Sequence, residues 1–324
     1  MPRIGQNPAK SITTVAKPER ITVAILNYIP FLSGFYADLL EVLQVCLQSI
    51  WDNTDLPYDL LVFDNGSCTE VKTYLTQMQI EGKIQYLILS EKNLGKGGAW
   101  NIILDGAPGE IIAYSDNDCY FYPGWLSNSL KVLETYPNVG MVTSRPVAND
   151  RVYNTATIDW AEKTPGVSIE DGKFLDWENF SSFTMSLGHT EEEARKLYKT
   201  HADLRVVYQG VPAFVGAIHY QFLAFKKVMK EFLPFNMDRP MGQVRQLDVN
   251  VNKAGYLRLM TAEPYMQNMS NQVPEEFKKI KSGKLPTSRT KTASKSGKFF
   301  ESKIIKSPLM RLYNWIFQLY WKDK

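Results

Sequence analysis

Five short apolar runs, each stopping at a polar cluster, shape the first half of this chain. They are Ile21–Asn27 (ITVAILN), Tyr58–Asp64 (YDLLVFD), Ile84–Leu89, Glu110–Ser115 and Val139–Ser144. The stretches between them have helical spacing. Phe35–Asn53 places Leu39, Leu40, Leu43, Cys46, Leu47 and Ile50 on one face, and Glu70–Ile80, Ala99–Leu104 and Leu126–Tyr136 follow. Strands that alternate with helices over about 120 residues require a parallel, doubly wound sheet with helices on both faces. Ligands of such sheets bind beyond the carboxyl ends of the strands. Four polar loops therefore converge on one crevice: Asn27-Tyr28, Asp64-Asn65, Asn93–Asn101 and Asp116–Asp118.

The rhythm changes after residue 146. Residues 147–210 are polar, with one clear helix at Glu191–Lys199. Ala213–Lys226 reads as strand material. Asp248–Ala254 reads as a short helix closed by Gly255, since glycine readily takes the left-handed cap conformation. The expected division is a disordered segment at 1–19, two halves of one domain at 20–146 and 147–274, a basic linker at 275–306 and a helix at 307–324. There is no internal repeat.

Charge separates the tail from the body. Residues 275–324 hold thirteen Lys/Arg and four Asp/Glu, a net +9 in a chain whose total is +3. A mildly acidic body with a strongly basic tail points to an anionic partner for the tail alone. In SPLMRLYNWIFQLYWKDK, Ser307 can cap and Pro308 suits the first helical position. Arg311, Asn314, Gln318 and Lys322 fall on one narrow face; Leu309, Leu312, Tyr313, Ile316, Phe317 and Tyr320 fall opposite. That is the pattern of a helix lying in a membrane interface, and residues 278–324 are expected to meet an anionic membrane surface. The aromatic face favours lipid over nucleic acid, and no nucleic-acid partner is expected. No apolar leader and no run of about 20 apolar residues is visible, so a cytoplasmic protein attached peripherally to the inner membrane face is expected. Cys46, Cys68 and Cys119 lie far apart and read as reduced thiols.

The fourth strand leads into Asp116-Asn117-Asp118. Two carboxylates one residue apart at a strand end suit a hard divalent cation, Mg²⁺ or Mn²⁺, which prefers carboxylate oxygen and keeps substrate phosphates as ligands. A cation there would make a nucleoside diphosphate a better leaving group. The glycine run Gly95-Lys96-Gly97-Gly98-Ala99-Trp100 begins as GxG, but Trp100 stands where a dinucleotide fingerprint needs its third glycine, and the run follows the third strand rather than the first. Its backbone N–H groups can still approach a diphosphate. The absence of GxxxxGK[ST] excludes a P-loop.

In order, ITVAILNY, VFDNGS, NLGKGGAWN, YSDND and FYPGWL resemble the nucleotide-sugar domain of family 2 glycosyltransferases, which have the GT-A fold. The resemblance covers residues 21–145, and 213–256 less strongly; it does not cover 150–210 or the tail. It implies a Rossmann-like, mostly parallel α/β sheet. It puts Asn27, Tyr28 and Asp64 at the nucleobase, and Asn93, Gly95 and Lys96 near base or phosphate. Asp116 would face ribose and metal, Asp118 would hold the metal, and Asp248, in QLDVNVNKAGY, would be the catalytic base. Read without it, Asp64 serves equally as the Asx turn of DNGS, Lys96 as a loop charge and Asp248 as a helix cap. Asp238 is the fallback base. His189, His201 and His219 read as structural, His219 as a core residue of an apolar strand.

Two positions depart from the family's pattern. Leu247 stands before the expected base where the family often has Glu, and YMQNMS offers Gln267 and Asn268 where it often has a histidine metal ligand. Together these readings imply an inverting, metal-assisted transfer from a nucleotide-diphospho-sugar to a hydroxyl of a glycan or lipid-linked glycan. The competing readings are a non-catalytic nucleotide-sugar or glycan-binding protein, and a sugar nucleotidyltransferase. The latter wants a basic, glycine-rich loop after the first strand, where this chain has Tyr28-Ile29-Pro30-Phe31.

Overall fold

A computed structural model describes residues 5–148, 150–236 and 244–278, together with Trp315. The fallback base Asp238, most of the expected linker and all of the C-terminal helix but Trp315 lie outside the described residues.

The strands are β1 (Ile21–Asn27), β2 (Asp59–Asp64), β3 (Tyr86–Leu89), β4 (Ile111–Asp116), β5 (Cys119–Phe121), β6 (Val139–Thr143), β7 (Ser168–Gly172), β8 (Asp203–Tyr208), β9 (Val211–Val215), β10 (Gln221–Phe225), β11 (Leu257–Thr261) and β12 (Met266–Asn268). The helices are α1 (Leu39–Asn53), α2 (Thr69–Ile80), α3 (Gly95–Gly106), α4 (Trp125–Thr135), α5 (Thr155–Lys163), α6 (Trp177–Ser186), α7 (Glu191–Thr200), α8 (Lys226–Lys230), α9 (Arg245–Lys253) and α10 (Glu275–Lys278).

Ten strands form one sheet in the order β3-β2-β1-β4-β10-β6-β11-β9-β8-β7. The four strands at one end, β3 to β4, run parallel, as their helical crossovers require. Beyond them β10 enters antiparallel between β4 and β6, and β9, β8 and β7 continue antiparallel. The expected α/β class is therefore observed, and both halves of the chain share its sheet. A two-stranded ribbon pairs β5 with β12.

The inner parallel strands β1, β2 and β4 are buried on both faces, which explains their unbroken apolar runs; β3, at the sheet edge, is not. Ala24, Leu26, Leu61, Phe63, Ile112 and Tyr114 pack with Trp100, Ile103 and Leu104 of α3 and with Leu247 and Val251 of α9. The alternate residues Val23, Ile25, Leu60, Val62, Ile111 and Ala113 are just as buried on the other face. Strand residues alternate in direction, so Tyr114 and Asp116 share the α3 face. On α3, Lys96 and Trp100 are four residues apart and share one side of the helix.

Several boundaries differ from the sequence reading. The first helix starts at Leu39, because Gly34–Tyr36 makes a separate 3₁₀ turn and leaves Phe35 exposed. The third helix starts at Gly95 and takes in the glycine run. Residues 147–210 contain three α-helices and two strands rather than one clear helix. Their signals are caps more than periodicity: Asp176 caps α6, and Thr190 with Glu193 forms a capping box on α7. The apolar run 213–226 is two strands, because Gly216 at φ +136° lets the chain turn between β9 and β10.

Candidate active site

The ends of β1, β2 and β4 are tied together below the crevice. Asn27 Nδ2 donates to Asp64 Oδ1 at 2.7 Å and to Ser67 Oγ at 3.0 Å. The Ser67 N–H donates to Asp64 Oδ2 at 3.0 Å, and Asn117 Nδ2 donates to Asn27 Oδ1 at 2.6 Å. Asn27 and Asp64 are fully buried. Both oxygens of Asp64 are thus occupied by protein donors, and this network holds the loops in register beneath the cleft. The Asx turn open to Asp64 from sequence is present.

The β2 and β3 loops meet above this floor. Asn65 Nδ2 donates to Asn93 Oδ1 at 3.0 Å, and Asn65 Oδ1 accepts the Leu94 N–H at 2.8 Å. Gly66, at φ +90°, lies where a Cβ would come within 3.1 Å of the Asn93 nitrogen. The loops can approach this closely only because no side chain intervenes. Gly95 donates its N–H to Asn93 Oδ1 at 2.8 Å and starts α3.

A cleft of about 300 Å³ opens between these loops. Its walls include Tyr28, Asn65, Asn93, Lys96, Asp116, Asn117, Asp118, Ser270 and the aromatic turn at Phe35 and Tyr36. Five of the residues singled out from sequence line it: Tyr28, Asn93, Lys96, Asp116 and Asp118. Asn27, Asp64, Gly95 and Asp248 do not.

Asp116 is paired within the cleft. Lys96 Nζ donates to Asp116 Oδ2 at 2.6 Å, and the Tyr114 hydroxyl donates to Asp116 Oδ1 at 2.6 Å. The Lys96 side chain is 8% exposed and its ammonium lies 5.5 Å from the centre of the Trp100 ring. Burial, reinforced by the charge of Asp116, holds the Tyr114 phenol well above its usual range, so it stays a donor. Burial, with the Asp116 charge behind it, pushes Asp118 up to about 7; the Asn268 hydrogen bond and Lys96 oppose the rise.

Asn268 reaches Asp118 because β12 pairs with β5, Asn268 opposite Cys119, and Met269 N–H donates to the Asp118 carbonyl at 2.7 Å. The Asn268 Oδ1 is taken by the Ser270 N–H at 2.9 Å. Gln267 turns away to Tyr122 and Glu276. Among the described residues no three His, Cys, Asp or Glu side chains group into a metal cage. Asp116 and Asp118 nevertheless face one cleft with room beside them for substrate oxygens. Such a donor set fits a hard divalent cation completed by phosphate.

A second cluster lies beyond Trp100. Asp248 on α9 is buried, and Arg258 of β11, 1% exposed, donates to its Oδ1 at 2.6 Å. The guanidinium also donates to the Tyr153 and Ala217 carbonyls, both at 2.5 Å. Burial draws the Arg258 guanidinium below its usual range and Asp248 pulls it back up. The second oxygen of Asp248 meets His219 Nδ1 at 2.7 Å. His219 is therefore not a strand core residue. It sits in the turn between β9 and β10, with its ring 6.4 Å from that of Trp100. Sequence reasoning missed it because its partner stands 29 residues further on. Gly216, three residues before it, was the available signal of a turn.

The sequence profile of glycosyl transferase family 2 matches residues 35–209, just over half of the chain. The match extends past the motif-based resemblance into 146–209 and does not include 213–256. An uncharacterised glycosyltransferase of Nostoc sp. is 26% identical over 210 residues, 61% of each chain. The glycosyltransferase AglE of Haloferax volcanii is 26% identical over 120 residues, 32% of this chain and 40% of its own. The matches thus span about three-fifths or less of these curated relatives. Among solved structures, residues 1–349 of S. aureus TarS share 14% identity, cover 76% of this chain and 60% of that one, and give a TM-score of 0.43. The mannosyltransferase PcManGT of Pyrobaculum calidifontis, solved with GDP-Man and Mn²⁺, shares 24% identity over 40% of this chain and 35% of its own, at a TM-score of 0.32. Structural likeness at those scores carries no weight beside the profile. On the strength of that profile, the chain belongs to glycosyl transferase family 2.

Proposed function

We propose that this chain is an inverting glycosyltransferase that moves a sugar from a nucleotide-diphospho-sugar to a hydroxyl of a glycan or lipid-linked glycan. The observation that carries this reading is the cleft at the ends of β1 to β4, where Lys96, Asp116 and Asp118 stand beside an asparagine-lined pocket. Tyr28, Asn65 and Asn93 supply one aromatic face and amide groups, chemistry suited to a nucleoside. Lys96, in the first turn of α3, brings a positive charge to the cleft wall, and positive charge is what favours a diphosphate. A divalent cation held by Asp116 and Asp118 would offset the charge that grows on the departing diphosphate. The acceptor oxygen attacks the anomeric carbon as its bond to the phosphate oxygen breaks, and the carboxylate of Asp248 serves the acceptor side. The transition state has oxocarbenium character, as in glycoside hydrolysis.

The test is release of nucleoside diphosphate across a panel that includes UDP-GlcNAc and GDP-mannose, with Mn²⁺ or with chelator, for wild type and Asp118→Ala. We expect release from one donor, dependent on Mn²⁺ and at least about a hundredfold slower in the variant. Donor binding without release, even with glycan extracts present, would instead identify a nucleotide-sugar-binding protein. No binding of any donor would mean that the cleft has another ligand.

A further inference from the structure

Asp248 is poorly placed to take a proton itself. One of its oxygens accepts from Arg258 at 2.6 Å and the other meets His219 at 2.7 Å. The Asp248 side chain is also only 8% exposed, against 20% for His219. Of the two, the imidazole is the one that reaches solvent.

The turn that carries His219 is pinned on every side. The Gly216 N–H donates to the Arg258 carbonyl at 2.9 Å, and the Ala217 carbonyl accepts from the Arg258 guanidinium at 2.5 Å. The Ile218 N–H donates to Thr143 Oγ1 at 2.9 Å. The Tyr220 carbonyl accepts the Asp116 N–H at 2.9 Å, which fixes the turn to the strand end that lines the cleft. Because Nδ1 faces a carboxylate, it carries the hydrogen, and Nε2 keeps its lone pair. Among the described residues the charged groups around the ring are Asp248 from α9, Arg258 from β11 beyond it, Lys96 from α3 across Trp100, and Asp116 from β4 beyond Tyr220.

We propose that His219 Nε2 is the general base of the transfer and that Asp248 is the residue that positions it. This rests on the transferase reading above. The acceptor O–H proton passes to Nε2. The oxygen's electron pair forms the bond to the anomeric carbon. The bond from that carbon to the β-phosphate oxygen breaks, and its pair leaves with the diphosphate. The imidazolium that forms is held by Asp248, itself gripped by Arg258, and it returns its proton to solvent after product leaves. A histidine held by a buried carboxylate has the same logic in other acid–base sites.

His219→Asn tests the assignment, because the asparagine amide can keep the hydrogen bond to Asp248 while Nε2 is lost. With water as acceptor and UDP-GlcNAc or GDP-mannose as donor, we expect nucleoside-diphosphate release to fall about 10²–10⁴-fold. Donor affinity and the thermal midpoint should stay at wild-type values. Free imidazole should restore part of the activity of His219→Ala. A separate readout needs no turnover: long-range ¹H–¹⁵N spectra should show His219 as the Nδ1–H tautomer, and Asp248→Asn should disturb it. An Nε2–H tautomer overturns the assignment. So does an active wild type matched by His219→Asn within threefold, and that result leaves the transferase reading intact. A wild type that releases nothing from any donor overturns the transferase reading and the assignment with it.

Discussion

Asp118 shows how far one residue's surroundings can set its behaviour. Burial and the neighbouring Asp116 charge raise it to about 7 in the folded chain, against about 3.9 for an unperturbed aspartate. Between those values the folded protein binds more protons than the unfolded one, so stability falls as pH rises from about 4 to about 7. Asp118→Asn removes that dependence. In chelator at pH 8 the variant should be more stable than wild type by at least about 1 kcal/mol, a rise of a few degrees in Tm. At pH 4 and below the two should unfold together. Thermal scans at the two pH values decide it; a variant less stable at pH 8 would show that the carboxylate is satisfied as an ion. At this scale the sequence is informative about residue type and weak about facing. DND marks the strand end as charged, and it is. VFDNGS names Asp64, but nothing in those six letters tells whether its oxygens meet a ligand or, as here, Asn27 and Ser67.

The α3 element joins the cleft to the rest of the molecule. The helix begins against the β2 loop, where Asn65 Nδ2 donates to the Gly95 carbonyl; its first turn carries Lys96 at the cleft and its second Trp100 in the core. Lys96→Ala would remove the cation that neutralises Asp116 and restrains the rise of Asp118. Donor affinity should then weaken about ten- to a hundredfold, as expected for loss of a charge-assisted contact, and binding titrations with UDP-GlcNAc and GDP-mannose would measure it. Unchanged affinity would place the phosphates away from α3. Strands β1, β2 and β4 were legible because burial on both faces leaves unbroken apolar runs in the sequence. Of the 147–210 elements α7 was legible and the others were not: the strands there are short or half-exposed, and β7, for instance, has no buried residue. His219 was misjudged for a related reason. Apolar residues on either side looked like one strand, and only pairing in three dimensions shows the turn at Gly216.

For the whole molecule, charge distribution leads to a reading that the cleft does not. Residues 275–324 carry a net +9, while the rest of the chain is −6 against a total of +3. Among the described residues no helix is long and apolar enough to cross a membrane. Attachment is the route to a membrane that the tail's sequence suits, with both ingredients: basic residues in 278–306 and apolar and aromatic residues at helical spacing over 307–324. Each basic residue near an anionic surface contributes about 1 kcal/mol, within a Debye length of about 10 Å at 0.1 M salt. The full chain should therefore float with vesicles containing a third anionic lipid and stay behind with purely zwitterionic ones. Raising salt from 0.1 M to 0.5 M should release most of it. Substituting Leu312, Ile316 and Phe317 by Ser should weaken binding at every salt concentration, because those residues supply the part that salt does not screen. Binding that is indifferent to lipid charge would mean the apolar face acts alone. No binding to either vesicle would rule out attachment through the tail and leave a soluble glycan as the acceptor to pursue.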